Sequence, residues 1–240
     1  MERLQSITVL GGSAASSFND VPEKSWPYLL KNSLPQHIDF RVETRGGLTF
    51  VRAISELADF PNEDLLIFHF GTSIGWPVSV VRIGHKLGID FTGEFGFHQP
   101  AYKSSSALRG LKRAFRVRLR NFVKYLLFFT GRYKSRISRR EIDDQIKAVI
   151  QLASNQSKRI IWIQHQALQN RRILLERLSY KKYYREIIRC LEKYKSPNFT
   201  VITLPECFLV QENYLLDCVH LSEKGHQELH KLVRERFKNG

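Results

Sequence analysis

Apolar residues are grouped along the chain in short runs, and the stretches between the runs carry a helical period. Ile7–Leu10 (Ile-Thr-Val-Leu) has the character of a buried first strand. Ile38–Glu43 alternates apolar and charged residues, as a strand with one solvated face does. Leu65–Phe70 (Leu-Leu-Ile-Phe-His-Phe) is an almost continuous apolar run of the kind buried on both faces of a parallel sheet. Arg159–Gln164 and Phe199–Leu204 supply two further buried strands. Trp26–Asn32, Leu48–Leu57, Pro77–Leu87, Glu141–Ser154 and Tyr180–Tyr194 read as helices, and Ser222–Phe237 closes the chain as another. Pro61–Asp64 reads as a turn before the third strand. Five strands alternating with helices predict the α/β class: a five-stranded parallel sheet covered on both faces.

His85–Arg140 breaks this rhythm. Between Glu94 and Glu141 there is no acidic residue, while Lys and Arg recur throughout. Leu108, Leu111, Phe115, Leu119, Phe122, Leu126 and Phe129 fall at steps of three or four, one stripe of a long helix, with Arg109, Lys112, Arg113, Arg116, Arg120 and Lys124 on the remainder. Either the stripe packs on the domain with its charges solvated, or the helix meets an anionic membrane surface or another polyanion through residues 103–140. The 240 residues suit one domain, 1–240, with a basic amphipathic helical insertion at about 85–140. The net charge of +15 points to polyanionic partners without choosing among them. No nucleic-acid-binding module is recognisable, so nucleic acid ranks below a membrane. No apolar run approaches the roughly 20 residues that span a bilayer, and Met1–Ser6 has no signal-peptide pattern. Three cysteines, odd in number and without metal-ligand spacing, suggest free thiols and a cytoplasmic address.

Two stretches carry candidate chemistry. Gly11-Gly12-Ser13-Ala14-Ala15-Ser16-Ser17 follows the first strand, so Ser13 stands at the carboxyl edge of the sheet, where open α/β folds bind ligands. The plainer reading is a strand-to-helix turn with Ser16 or Ser17 as N-cap. Near the other end, Asp217-Cys218-Val219-His220 puts a carboxylate three residues before an imidazole. A carboxylate there can orient Nδ1 and leave Nε2 as a base, as in a serine triad. His69, inside a strand, reads as a satisfied core histidine. His165, after the fourth strand, reads as lying at the active-site edge, in solvent or against substrate. A phosphate loop and a zinc site both lack their residue spacing.

The order of these blocks resembles the SGNH hydrolases, the GDSL-type esterases and acylhydrolases. The matching blocks are Gly11-Gly12-Ser13, Gly46-Gly47-Leu48-Thr49, His69-Phe70-Gly71-Thr72-Ser73-Ile74 and Asp217-Cys218-Val219-His220-Leu221-Ser222, with Gly225-His226 following. The resemblance implies a flavodoxin-like three-layer α/β/α sandwich. It makes Ser13 the nucleophile, His220 the base and Asp217 its orienting partner. The oxyanion hole would comprise the backbone N–H groups of Ser13 and Gly47 and the side chain of Ser73. Gly12 and Ile74 stand where the family usually has Asp, and Ser73 where it usually has Asn, which exchanges a two-donor amide for a one-donor hydroxyl. The implied activity is hydrolysis of an acyl ester, O-acetyl among the options, on a carbohydrate, glycolipid or lipid, with no metal or organic cofactor. Acyl transfer by the same triad, and a catalytically impaired protein that binds a membrane or polyanion, are the alternatives.

Overall fold

The computed structural model describes residues 4–16, 21–45, 48–71, 138–166, 174–215 and 220–238, with isolated positions between 83 and 130. Its centre is one sheet of β1 (Ser6–Gly11), β2 (Asp39–Thr44), β3 (Glu63–Phe70), β4 (Ser157–Gln164) and β5 (Phe199–Thr203). All pairings are parallel, in the order β2-β1-β3-β4-β5. This is the flavodoxin-like order, and its switch point lies between the carboxyl ends of β1 and β3.

Alternation along the strands divides the core in two. Ile7, Val9, Leu65, Ile67, Ile161, Ile163 and Ile202 face one side, where Trp26 and Leu30 of α1 (Trp26–Asn32) and Leu229 and Val233 of the last helix (Glu223–Lys238) cover them. Leu10, Leu66, Phe68, Phe70, Ile160 and Trp162 face the other. There they meet α2 (Phe50–Leu57), α3 (Arg139–Gln156) and α4 (Leu174–Glu192). The last helix is α5. With helices on both faces, the architecture is the expected α/β/α sandwich. Among the described residues no helix is long and apolar enough to cross a membrane.

Two sequence expectations change, and one open alternative is narrowed. The stretch Pro61–Asp64 is not wholly a turn, because β3 begins at Glu63. Buried Glu63 accepts a hydrogen bond from Thr8 Oγ1 at 2.9 Å, and Asp64 accepts from the backbone N–H of Gln5 at 2.6 Å. Partners on β1 and just before it make two acids compatible with a strand. Ser16 is no helix N-cap: its hydroxyl donates to the Ser13 carbonyl at 3.0 Å, and α1 starts only at Trp26. The described part of the apolar stripe is mostly turned outward, with Leu119 half-buried. Phe122, Leu126 and Phe129 are 63%, 53% and 78% exposed, whereas Val123 and Leu127 are buried. The predicted helix at Pro77–Leu87 lies outside the described residues apart from helical Ile83 and Lys86, and Leu108, Leu111 and Phe115 also lie outside them.

Candidate active site

The carboxyl ends of β1, β2 and β3 are tied together by the backbone. Gly12 N–H donates to the His69 carbonyl at 2.9 Å, and Arg45 N–H donates to the Gly11 carbonyl at 2.8 Å. After β1 the chain turns at once, with Ala15 N–H reaching the Gly12 carbonyl at 2.9 Å. A Cβ on Gly11 would lie 2.3 Å from the Ala15 Cβ, so this turn requires glycine. Ser13 is thereby lifted, half-buried, above the switch point.

His220 arrives from the far end of the sequence. Its carbonyl accepts from Leu215 N–H at 2.8 Å, and the next turn is held by Ser222 N–H on the Asn213 carbonyl at 3.0 Å. This places buried His220 with Nε2 3.0 Å from Ser13 Oγ, across 207 residues of chain. At that distance the imidazole can accept the hydroxyl proton, which is the geometry of a base beside a nucleophile. Asp217, Gly47 and Ser73 lie outside the described residues. Their described neighbours border the same corner: Leu48 flanks Gly12, as does the backbone N of Gly71.

Behind the pair lies a set of buried histidines on the face covered by α1 and α5. Trp26 Nε1–H donates to His69 Nδ1 at 3.0 Å, and His69 Nε2 lies 3.3 Å from His165 Nδ1. Because His69 accepts through Nδ1, its neutral ring carries the proton on Nε2 and donates it to His165. Burial holds His69 well below the ordinary histidine pKa, with His165 and His226 acting in the same direction. His69 is therefore the satisfied core histidine its position suggested. His165 is not solvated: it is fully buried, with Nδ1 beside His69 Nε2. Among the described residues no group of three His, Cys, Asp or Glu is arranged to hold a metal ion.

Two residues of this layer had no assigned role in the sequence. Trp26 donates through both its ring and its backbone N–H, the latter to His226 Nδ1 at 3.3 Å. The available signal was spacing: His226, Leu229 and Val233 fall at steps of three and four on the buried stripe of α5.

No protein-family model matches the chain, and no curated protein matches it in sequence. Solved structures do resemble it. A member of the lipolytic protein G-D-S-L family from Veillonella parvula is 11% identical with a TM-score of 0.59, covering 97% of this chain and 98% of its own. A lipase/acylhydrolase from Enterococcus faecalis is 14% identical with a TM-score of 0.59, over 98% and 96% of the two chains. An acetylxylan esterase from Geobacillus stearothermophilus is 13% identical with a TM-score of 0.53, over 96% and 93%. The likeness is one of fold and spans nearly the whole of each chain. It is the fold of the GDSL-type, or SGNH, hydrolases.

Proposed function

We propose that the protein is a serine ester hydrolase of the SGNH type, and the observation that carries this reading is the 3.0 Å approach of His220 Nε2 to Ser13 Oγ. Ser13 Oγ attacks the acyl carbonyl while its proton passes to His220 Nε2. His220 then returns the proton to the leaving alkoxide, and an acyl-serine remains. Water, deprotonated by the same imidazole, releases the acid and restores the serine. Asp217 orients the ring of His220. The oxyanion is received by the N–H groups of Ser13 and Gly47 and by the hydroxyl of Ser73. Each such donor typically contributes about 10²–10³-fold in rate.

The names of the structural neighbours support an acyl ester of a carbohydrate or lipid as substrate, with O-acetyl the first acyl group to try. Acyl transfer to a sugar hydroxyl uses the same steps with an alcohol in place of water. The free thiols of Cys190 and Cys207 suit a reducing compartment such as the cytoplasm. The decisive experiment compares p-nitrophenyl acetate hydrolysis by the wild type and Ser13→Ala, followed by acetate release from an acetylated oligosaccharide. Activity confined to the wild type is expected. Equal activity in both proteins overturns the assignment.

A second, compatible reading concerns residues 103–140. Outward Phe122, Leu126 and Phe129 stand in a stretch, 95–140, with 13 Lys and Arg and no acid. Apolar side chains exposed among basic ones suit a peripheral contact with an anionic membrane, where a glycolipid or lipid ester would be met.

A further inference from the structure

The two halves of the proposed pair belong to different elements. Ser13 lies on the connection from β1 to α1, and His220 lies on the connection entering α5. Their relative position depends on how α1 and α5 are joined.

Helix α1 has no side-chain cap of its own. Its N-cap residue, Ser25, turns its hydroxyl back to the Pro22 carbonyl at 2.7 Å, and Pro27 in the first turn has no N–H to offer. The N–H of Trp26, the first helical residue, is one of the orphan donors of a helix start. Its acceptor comes from the other helix: His226 Nδ1, at 3.3 Å, in the buried layer. On the surface the turn leading into α1 is joined to α5 by Lys24 and Glu223 at 2.9 Å. That pair is exposed on both sides, where ion pairs contribute little. The buried bond is the firmer tie.

The state of the His226 ring suits this use. Accepting through Nδ1 puts the proton of the neutral ring on Nε2. Burial holds the ring neutral, with a pKa lowered to about 4; nearby His220 acts in the same direction, and the Ser16 carbonyl opposes them. Nε2 has no partner at ordinary hydrogen-bond distance, and the Ser16 carbonyl acts on the ring from further out. Nδ1 is the ring atom that makes a hydrogen bond of ordinary length, and a leucine on this apolar stripe would lack it. His226 is also rigidly connected to the base. Its own N–H donates to the Ser222 carbonyl at 2.9 Å, two residues after His220.

We propose that His226 is a positioning residue for the Ser13–His220 pair: it caps α1 from α5 and thereby sets the serine-bearing connection against the base-bearing one. This rests on the assignment of Ser13 and His220 made above. His226 touches neither substrate nor reacting atoms, and its effect falls on the geometry of proton transfer.

The test compares His226→Asn, His226→Gln and His226→Leu on p-nitrophenyl acetate, with Ser13→Ala alongside. Asn Oδ1 can take the place of Nδ1, whereas Gln carries its amide further out and Leu has no acceptor. Misplacement by about 1 Å costs up to about 100-fold, so kcat should fall about 10- to 100-fold in Gln and Leu while KM moves less than about threefold. Asn should stay within about threefold of the wild type in kcat. Labelling of Ser13 by a fluorophosphonate should slow in the same order. Unchanged kcat in Gln and Leu, or a loss in Asn as large as in Leu, overturns the proposal. If Leu does not fold, the contrast between Asn and Gln decides. Activity retained in Ser13→Ala overturns the pair and this inference with it. An inactive Ser13→Ala beside fully active His226 variants overturns the positioning role alone.

Discussion

Acid should weaken this fold through His226 in a way that can be isolated. In the unfolded chain the ring titrates near 6.5, and in the folded protein burial lowers that to about 4. Above pH 6.5 the ring is neutral in both states, and no penalty arises. Between 6.5 and about 4 the unfolded chain binds a proton that the folded protein refuses, so stability falls as the pH falls. The slope approaches about 1.4 kcal/mol per pH unit for one such group, and the full loss is about 3 kcal/mol, complete near pH 4. Urea unfolding of the wild type and His226→Asn at pH 7, 6 and 5 isolates it. The variant carries no titrating group at this position, while buried His69 and the ion-paired carboxylates are common to both proteins. The stability of the wild type relative to the variant should drop by about 1 kcal/mol or more from pH 6 to pH 5. A difference that stays constant over that range refutes the reasoning, because it means that the folded ring takes up its proton as readily as the unfolded one.

Gly225→Ala should destabilise the protein by about 1–3 kcal/mol in urea titrations, although in an open helix the same change is favourable by about 1 kcal/mol. The sign is set by Asn213, whose backbone oxygen lies 2.0 Å from the position of the added Cβ. Because Asn213 anchors the segment carrying His220, ester hydrolysis should fall as well. Replacing Phe122, Leu126 and Phe129 together by Ser should weaken sedimentation with phosphatidylserine-containing vesicles, and unchanged sedimentation would count against a membrane contact.

Much of the fold was legible because strand signals are local. The apolar runs at Ile7, Leu65 and Arg159 lie within strands of the observed sheet, the run at Phe199 overruns β5 only by Leu204, and Trp26–Asn32 is the helix at those limits. The start of β3 was not legible, because Glu63 and Asp64 look like turn residues until Thr8 and Gln5 are beside them. Ser13 and His220 could be singled out by their positions after the first strand and before the last helix. The solvated alternative for His165 fell because a histidine beyond a strand end has no local mark of burial, and its partner, His69, is 96 residues away. Helical spacing grouped Phe122, Leu126 and Phe129 on one stripe, but it could not say that this stripe faces outward while Val123 and Leu127 face inward.

The sequence by itself determined the alternation of strands and helices, the parallel sheet and the loops on which a nucleophile and its base would stand. Each of those follows from residues within a turn or two of one another, where periodicity and backbone preference act. The tertiary structure alone decided that Ser13 Oγ and His220 Nε2 meet at 3.0 Å and that His226 supplies the cap α1 lacks. Those contacts join residues about 200 positions apart, and only the packing of α1 and α5 on one face of the sheet brings them together.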